Sequence, residues 1–282
     1  MLESGASLGG GATGAVIGAV IGGPPGAAIG AGAGWATEKL ANVGFEIAQR
    51  YLAPRSEMRV GSVFVMAYEE ISARLMRGDE PREDLRAEIT PGRSRAEELV
   101  EATLVAAADT YEERKLPYLA HLLAAITFEP GITHAHANRL ITVADQLSYR
   151  QLVELAAFID MGPAAPGYGL RGEGSKHLAE ADEVVSIRAD LLDLFRRDLL
   201  QTAARSRRVR QEGQSNRISG IDFPVYADQE LPWPAIPREV SPRDMRLSNE
   251  GQRLVRMMRL DLVPVDEREE LVIAHLLPTP GE

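Results

Sequence analysis

From Ser4 to Thr37 the chain carries no charged side chain over 34 residues, and within that run glycine recurs at every fourth position: Gly10, Gly14, Gly18, Gly22, Gly26, Gly30 and Gly34. Few folds can use such a segment. Residues four apart lie on one face of a helix, so these glycines would leave a smooth groove along one side. Each glycine costs about 1 kcal/mol of helix stability relative to alanine, so an isolated, solvated helix here is not expected to persist. A groove without side chains does let a second backbone approach closely, which is the small-xxx-small arrangement of packed membrane helices. The fixed period argues against a flexible linker, which favours serine and needs no register.

Pro24 and Pro25 interrupt the ladder. Each removes a helical hydrogen bond and clashes with the preceding turn. Two arms are expected, over about residues 8–22 and 25–37, each roughly 20 Å long at ~1.5 Å per residue. Since one bilayer crossing takes about 20 apolar residues, the segment is expected to cross as one kinked helix or to enter as a short hairpin. Its strongly apolar aliphatics are Leu8, Val16, Ile17, Val20, Ile21 and Ile29. Together they favour insertion by roughly 2 to 4 kcal/mol. That is marginal for one copy, so insertion coupled to self-association is the expectation. Trp35 ends the run, where an interfacial aromatic belongs. The only charged residue before it is Glu3, so the basic n-region of a secretory signal is missing. The expectation is a bacterial cytoplasmic protein that becomes associated with the inner membrane.

The remaining sequence reads as mainly α. At 282 residues the chain exceeds the roughly 100–200 usual for one domain. We divide it into the glycine segment 1–37, a helical bundle 38–160, a Gly/Pro loop 161–175 and an α+β region 176–282. In the bundle, Leu40, Val43, Ile47 and Leu52 keep helical spacing. Val60, Val63, Phe64, Ala67, Ile71 and Leu75 form a stripe between Arg55 and Arg77. Ser94 and Glu97 make a capping-box signature, and further helices are expected from Tyr118, over Ile132–Leu147 and over Gln151–Ile159. Five or six short-connected helices suggest a compact bundle. Beyond the loop we expect a helix from Lys176 to Arg205 with Leu199 inside it. Strand candidates follow at Arg217–Phe223 and Val225–Tyr226, then a Ser248-capped helix through Leu260 and a last short helix over Asp266–Leu277.

The segment Ser186 to Leu194, a strand-like stretch, and Leu247-Ser248-Asn249-Glu250-Gly251-Gln252-Arg253-Leu254-Val255 together resemble a winged-helix module whose last motif follows the wing. Upstream, Lys115-Leu116-Pro117-Tyr118-Leu119-Ala120-His121-Leu122-Leu123 and Leu147 to Leu152 are similar to segments of uncharacterised bacterial helical proteins grouped with alpha-type abortive-infection, or phage-defence, proteins. The resemblance covers about residues 36–275. It implies a defence context and brings no catalytic residue with it.

The chemistry is otherwise sparse. Without cysteine there is no disulfide framework, thiolate zinc site or cysteine nucleophile. His134 and His136 diverge on a helix, and no acidic residue lies three or four positions away to complete a metal set, so they read as exposed helix histidines. Adjacent acids such as Glu69-Glu70 and Glu97-Glu98 point apart and make no acid/base dyad. No serine sits in a nucleophile elbow. We therefore expect no enzyme, no cofactor and no metal.

Arg205, Arg207, Arg208 and Arg210 form a basic run suited to lipid or nucleic-acid phosphates. The overall balance of 31 Lys+Arg against 41 Asp+Glu, a net −10, weighs against nucleic acid as the main partner. The expected partners are further copies of the chain, a lipid bilayer and an unidentified activating partner. The expected function is a self-assembling, conditionally membrane-inserting protein, such as a pore-forming or membrane-disrupting anti-phage effector. A soluble structural homo-oligomer packed through the ladder, or a winged-helix DNA-binding regulator, are the alternatives.

Overall fold

A computed structural model of the chain describes residues 54–160, 182–202 and 245–271. The glycine ladder with Trp35, the Gly/Pro loop, the Arg205–Arg210 run and the strand candidates at 217–226 lie outside the described residues. What is described is mainly helical, with eight α-helices and two small antiparallel sheets. The chain divides into two compact units. Among the described residues, the first holds 54–152 and 254–262, and the second holds 153–160, 182–202, 245–253 and 263–271.

The first unit begins with α1 (Pro54–Met76), opened by a proline that already has helical φ. Its expected stripe is the core: Val60, Val63, Phe64, Ala67 and Ile71 are buried. The helix stops in a Schellman motif. Gly78 has φ +90° and donates to Leu75 O at 3.0 Å, while Asp79 N donates to Arg74 O at 3.0 Å. A short hairpin follows, β1 (Glu88–Thr90) and β2 (Arg93–Ser94), turning through Gly92 at φ +81°. Ser94 then caps α2 (Arg95–Asp109) with the full capping box, its backbone N–H donating to Glu97 Oε2 at 2.7 Å and its Oγ accepting from Glu97 N at 3.3 Å. Next come α3 (Leu116–Phe128), α4 (His134–Gln146) and α5 (Tyr149–Asp160). Helix α1 packs on α2 and α3, and α2 packs on α3 and α4. Five helices thus lie in the described part of the expected bundle.

Helices α2, α3 and α4 have no basic residue in their last turns. A helix C-terminus carries unsatisfied carbonyls and partial negative charge, and here cations from elsewhere in the unit meet it. Arg59 of α1 donates Nη1 to Ala108 O at 3.0 Å and to Thr110 O, at the end of α2. Arg82 donates its guanidinium to Ile126 O at 3.3 Å and its backbone N–H to Thr127 O at 3.0 Å, at the end of α3. Lys115 donates Nζ to Asp145 O at 2.8 Å, at the end of α4.

The second unit contains α6 (Asp182–Arg196), β3 (Leu200–Thr202), β4 (Met245–Leu247), the start of α7 (Asn249–Met257), and α8 (Val265–Leu271). The strands pair antiparallel with Leu200 opposite Leu247 and Thr202 opposite Met245. Two helix ends differ from the sequence expectation. Helix α6 stops at Arg196, and Leu199 lies beyond its end. Asp198 takes φ +62° and the chain closes a second Schellman turn, Leu199 N to Leu194 O at 3.0 Å and Asp198 N to Phe195 O at 3.1 Å. Helix α7 stops at Met257, with Arg259 at φ +56°. Neither stop is marked by glycine, so periodicity alone ran past both.

Ser248 caps α7 as its position suggested. Its Oγ accepts from Gly251 N at 2.9 Å while donating to Asp198 O, and its N–H donates to Leu199 O at 3.0 Å. This presses α7 onto the turn so closely that a Cβ on Gly251 would lie 2.0 Å from Leu199 O. A backbone oxygen cannot swing away as a flexible side chain can. Gly251→Ala is therefore expected to cost at least about 1–3 kcal/mol through forced displacement. Gly78→Ala meets open space and should cost only the left-handed backbone strain, roughly 1–2 kcal/mol. Arg82→Leu strips the buried Ile126 carbonyl of its donor and breaks the fork onto Asp84, and should cost about 1–3 kcal/mol. Chemical denaturation of the three variants against the parent chain measures each loss.

Candidate functional site

Among the groups of polar side chains that converge within the first unit, three bring helices together. One joins α2 to α4. The capping box turns Glu97 back to Ser94, which sends the next residue, Glu98, about 100° further round α2. Thr133 caps α4, its Oγ accepting from His136 N at 3.2 Å. His134 is then the first residue of α4, and Asn138 stands one turn later on the same face. Three atoms close a triangle. Glu98 Oε1 lies 3.2 Å from His134 Nε2, Asn138 Nδ2 lies 2.6 Å from Glu98 Oε1, and the same Nδ2 lies 3.2 Å from His134 Nε2. Burial pushes the Glu98 carboxyl up. The hydrogen bonds from Asn138 and His134 and the charges of His134 and Arg93 outweigh that, and hold it below the usual carboxylate value. Arg93 itself is paired with Glu101 at 2.6 Å.

A second pair joins α1 to α3, with His121 Nδ1 and Glu70 Oε2 at 2.5 Å. Near it, Arg259 forks onto Asp261 at 3.2 Å through both Nε and Nη2. That hydrogen bond holds the Asp261 carboxyl below its ordinary value against the opposing effect of burial. In the same segment Arg256 reaches Glu129 at 2.8 Å.

The third group surrounds Lys115, whose side chain is buried. Desolvation draws its ammonium below the usual lysine value, against the charges of Glu112 and Asp145. Glu112 accepts from Tyr149 N at 3.0 Å and so holds the first turn of α5, while the Arg114 guanidinium sits 4.4 Å from the Tyr149 ring centre. A buried lysine drawn down by desolvation is one form of an activated amine. This one is spent on the Asp145 carbonyl, and its role is to hold α4 in place.

All the ladder glycines, Pro24, Pro25, Trp35, Arg205, Arg207, Arg208 and Arg210 lie outside the described residues. The structure therefore brings together none of the residues the sequence singled out. It does correct the reading of His134. That side chain is 17% exposed and faces Glu98, 36 residues earlier. Spacing along one helix does not reveal a partner on another. Among the described residues no group of three His, Cys, Asp or Glu is placed to hold a metal ion, and no helix is long and apolar enough to cross a membrane.

No family model, curated protein or solved structure matches this chain.

The depressed carboxyl of Glu98 has a signed consequence. Its folded value lies below its unfolded one, so its contribution to stability is complete above the unfolded value, about 4.3. That contribution is lost as pH falls through the folded value. Glu98→Gln should flatten the acid limb of a melting-temperature profile recorded from about pH 6 to pH 3, with little change in slope above it.

Proposed function

We propose that this chain is a self-assembling protein that enters membranes through its glycine-rich N-terminal segment. One observation carries the reading: the four-residue glycine period from Gly10 to Gly34 inside an uncharged run of 34 residues. Glycine at that density weakens a lone helix in water and suits close packing of helices in lipid. The described body offers no membrane-crossing helix of its own, so on this reading entry falls to residues 1–37. The helical body keeps that segment shielded in the cytoplasm, an activating partner releases it, and several copies pack groove to groove at the inner membrane. Arg205, Arg207, Arg208 and Arg210 meet anionic headgroups, at about 1 kcal/mol per basic residue. The setting of phage defence rests on the resemblance to abortive-infection proteins alone.

The order α6, β3, β4, α7 supports a winged-helix-like second region, which serves here as an oligomerising or regulatory module. A soluble assembly packed through the ladder is the second reading. It is favoured by the low count of aliphatics in the run, which leaves single-copy insertion marginal.

The deciding experiment compares the full chain with the Gly18→Leu/Gly22→Leu double variant. Both are assayed by carbonate-washed membrane pelleting and by dye release from anionic liposomes. The parent should stay in the pellet and release dye. The double variant is more hydrophobic but has its groove filled, and should release dye at least about tenfold more slowly, the factor for ~1.4 kcal/mol of lost packing. Undiminished leakage from the variant would count against the groove. Large uniform particles from the parent chain, with liposomes intact, would establish the soluble assembly instead.

A further inference from the structure

We propose that the outer face of α1 is the docking surface for residues 38–53 of the same chain, which pack back along it as an antiparallel helix and so tether the glycine ladder to the first unit. The docking stands on α1 and on the sequence that enters it. The tethering role rests on the membrane-entry reading above.

Helix α1 is apolar on both sides. The side that packs on α2 and α3 carries Val60, Phe64, Ala67 and Ile71. On the opposite side of the helical wheel a second stripe holds Met58, Val65, Met66, Ala73 and Met76. Met58 and Met76 are 60% and 63% exposed, and Val65, Met66 and Ala73 are half-buried. Ser62, on the same stripe, donates its hydroxyl to Met58 O at 2.8 Å, within its own helix. Of the residues on that face between Met58 and Met76, Glu69 alone is charged. A surface helix ordinarily turns its charged residues to water on the side away from the core. A stripe of apolar side chains that runs for ~27 Å along that side marks a surface which another element covers. Methionine suits such a contact, because its flexible thioether adapts to the neighbour.

The occupant follows from where the chain enters the helix. Fifty-three residues precede α1 and join it directly at Pro54. A proline clashes with the carbonyl four residues back, here that of Arg50, and turns the preceding residue, Ala53, away from helical geometry. One helix therefore does not run straight through. A connection of a few residues, as in an αα-hairpin, lays the incoming segment antiparallel along α1. With α2 and α3 on the core side, the outer face is the side open to it. The segment has the matching pattern. Leu40, Val43, Ile47 and Tyr51 fall within about 80° on a helical wheel, with Glu38, Asn42, Glu46 and Gln49 on the other side. Its length at ~1.5 Å per residue is roughly 23 Å, close to that of the face. The charges agree as well. Lys39 and Glu69 lie fifteen residues before and after Pro54, so antiparallel pairing brings them level to within about one turn. The ladder then emerges near the C-terminal end of α1.

The test uses the full chain, which has no cysteine of its own, carrying Ala48→Cys with Ser62→Cys, six residues before and eight after Pro54. A short, reducible bis-thiosulfonate should link the two within one chain. The link should form at least about tenfold faster than in a control that pairs Ala48→Cys with Thr142→Cys, exposed on α4. Glu69→Lys in the linking chain sets two lysines face to face and should slow the reaction about threefold; adding Lys39→Glu should restore the rate. Recovery by a second charge change cannot come from misfolding. On anionic liposomes the linked chain should release dye about tenfold more slowly than the same chain after the linker is reduced. Docking is overturned by links that form mainly between chains, which makes a second copy the occupant, by equal rates with Ser62→Cys and Thr142→Cys, or by a charge reversal that restores nothing. Equal leakage before and after reduction overturns the tether. A link that forms as expected in a chain that releases no dye in either state supports the docking and removes the membrane-entry reading.

Discussion

Cations supplied from a distance to helix C-termini are the interaction on which the first unit depends. A helix that ends without a basic residue leaves carbonyls and partial negative charge to be answered by something else. Arg59, Arg82 and Lys115 answer them for α2, α3 and α4 respectively. Each side chain comes from outside the helix it caps, so each cap is also a tertiary tie. Removing one exposes a helix end and loosens a packing contact together. It also helps a bundle tolerate two nearly buried cations: Lys115 meets the Asp145 carbonyl, and Arg82 meets the Ile126 carbonyl while forking onto the Asp84 carboxylate at 2.9 and 2.7 Å.

A second layer of ties runs between helix faces. Glu70 meets His121 across α1 and α3, and Glu98 meets His134 across α2 and α4. Both pairs are only partly covered, so their Coulomb energy is screened, and their main effect is on register. Each fixes which turn of one helix stands opposite which turn of the next. Where that register also brings Asn138 in, its amide joins His134 on the Glu98 carboxylate.

Much of the helical framework was legible in the sequence because its signals are local. The Val60 to Ile71 stripe follows helical period, and Ser94 with Glu97 declares a helix start by spacing alone. Ser148 and Gln151 carry the same signature before α5, with Ser148 N donating to Gln151 Oε1 at 2.9 Å, and that start could have been read in the same way. The Pro91-Gly92 pair likewise marks the turn of the β1–β2 hairpin, which was missed because its strands are too short for alternation to show. The ends of α6 and α7 were not legible. Asp198 and Arg259 adopt positive φ without being glycine, and only the surrounding hydrogen bonds hold them there.

The sequence by itself determined the helical class, the acidic balance, the lack of any thiol chemistry and the glycine register from Gly10 to Gly34. All of these follow from composition or from periods of a few residues. Tertiary structure alone decided that Arg82 caps α3 and not a neighbouring helix, and that Gly251 must stay bare beneath the Leu199 carbonyl. It alone set His134 against Glu98 instead of water. Those outcomes depend on pairs tens of residues apart. Which donor reaches which acceptor is set by the packing angles of whole helices, and no short window of sequence contains that information.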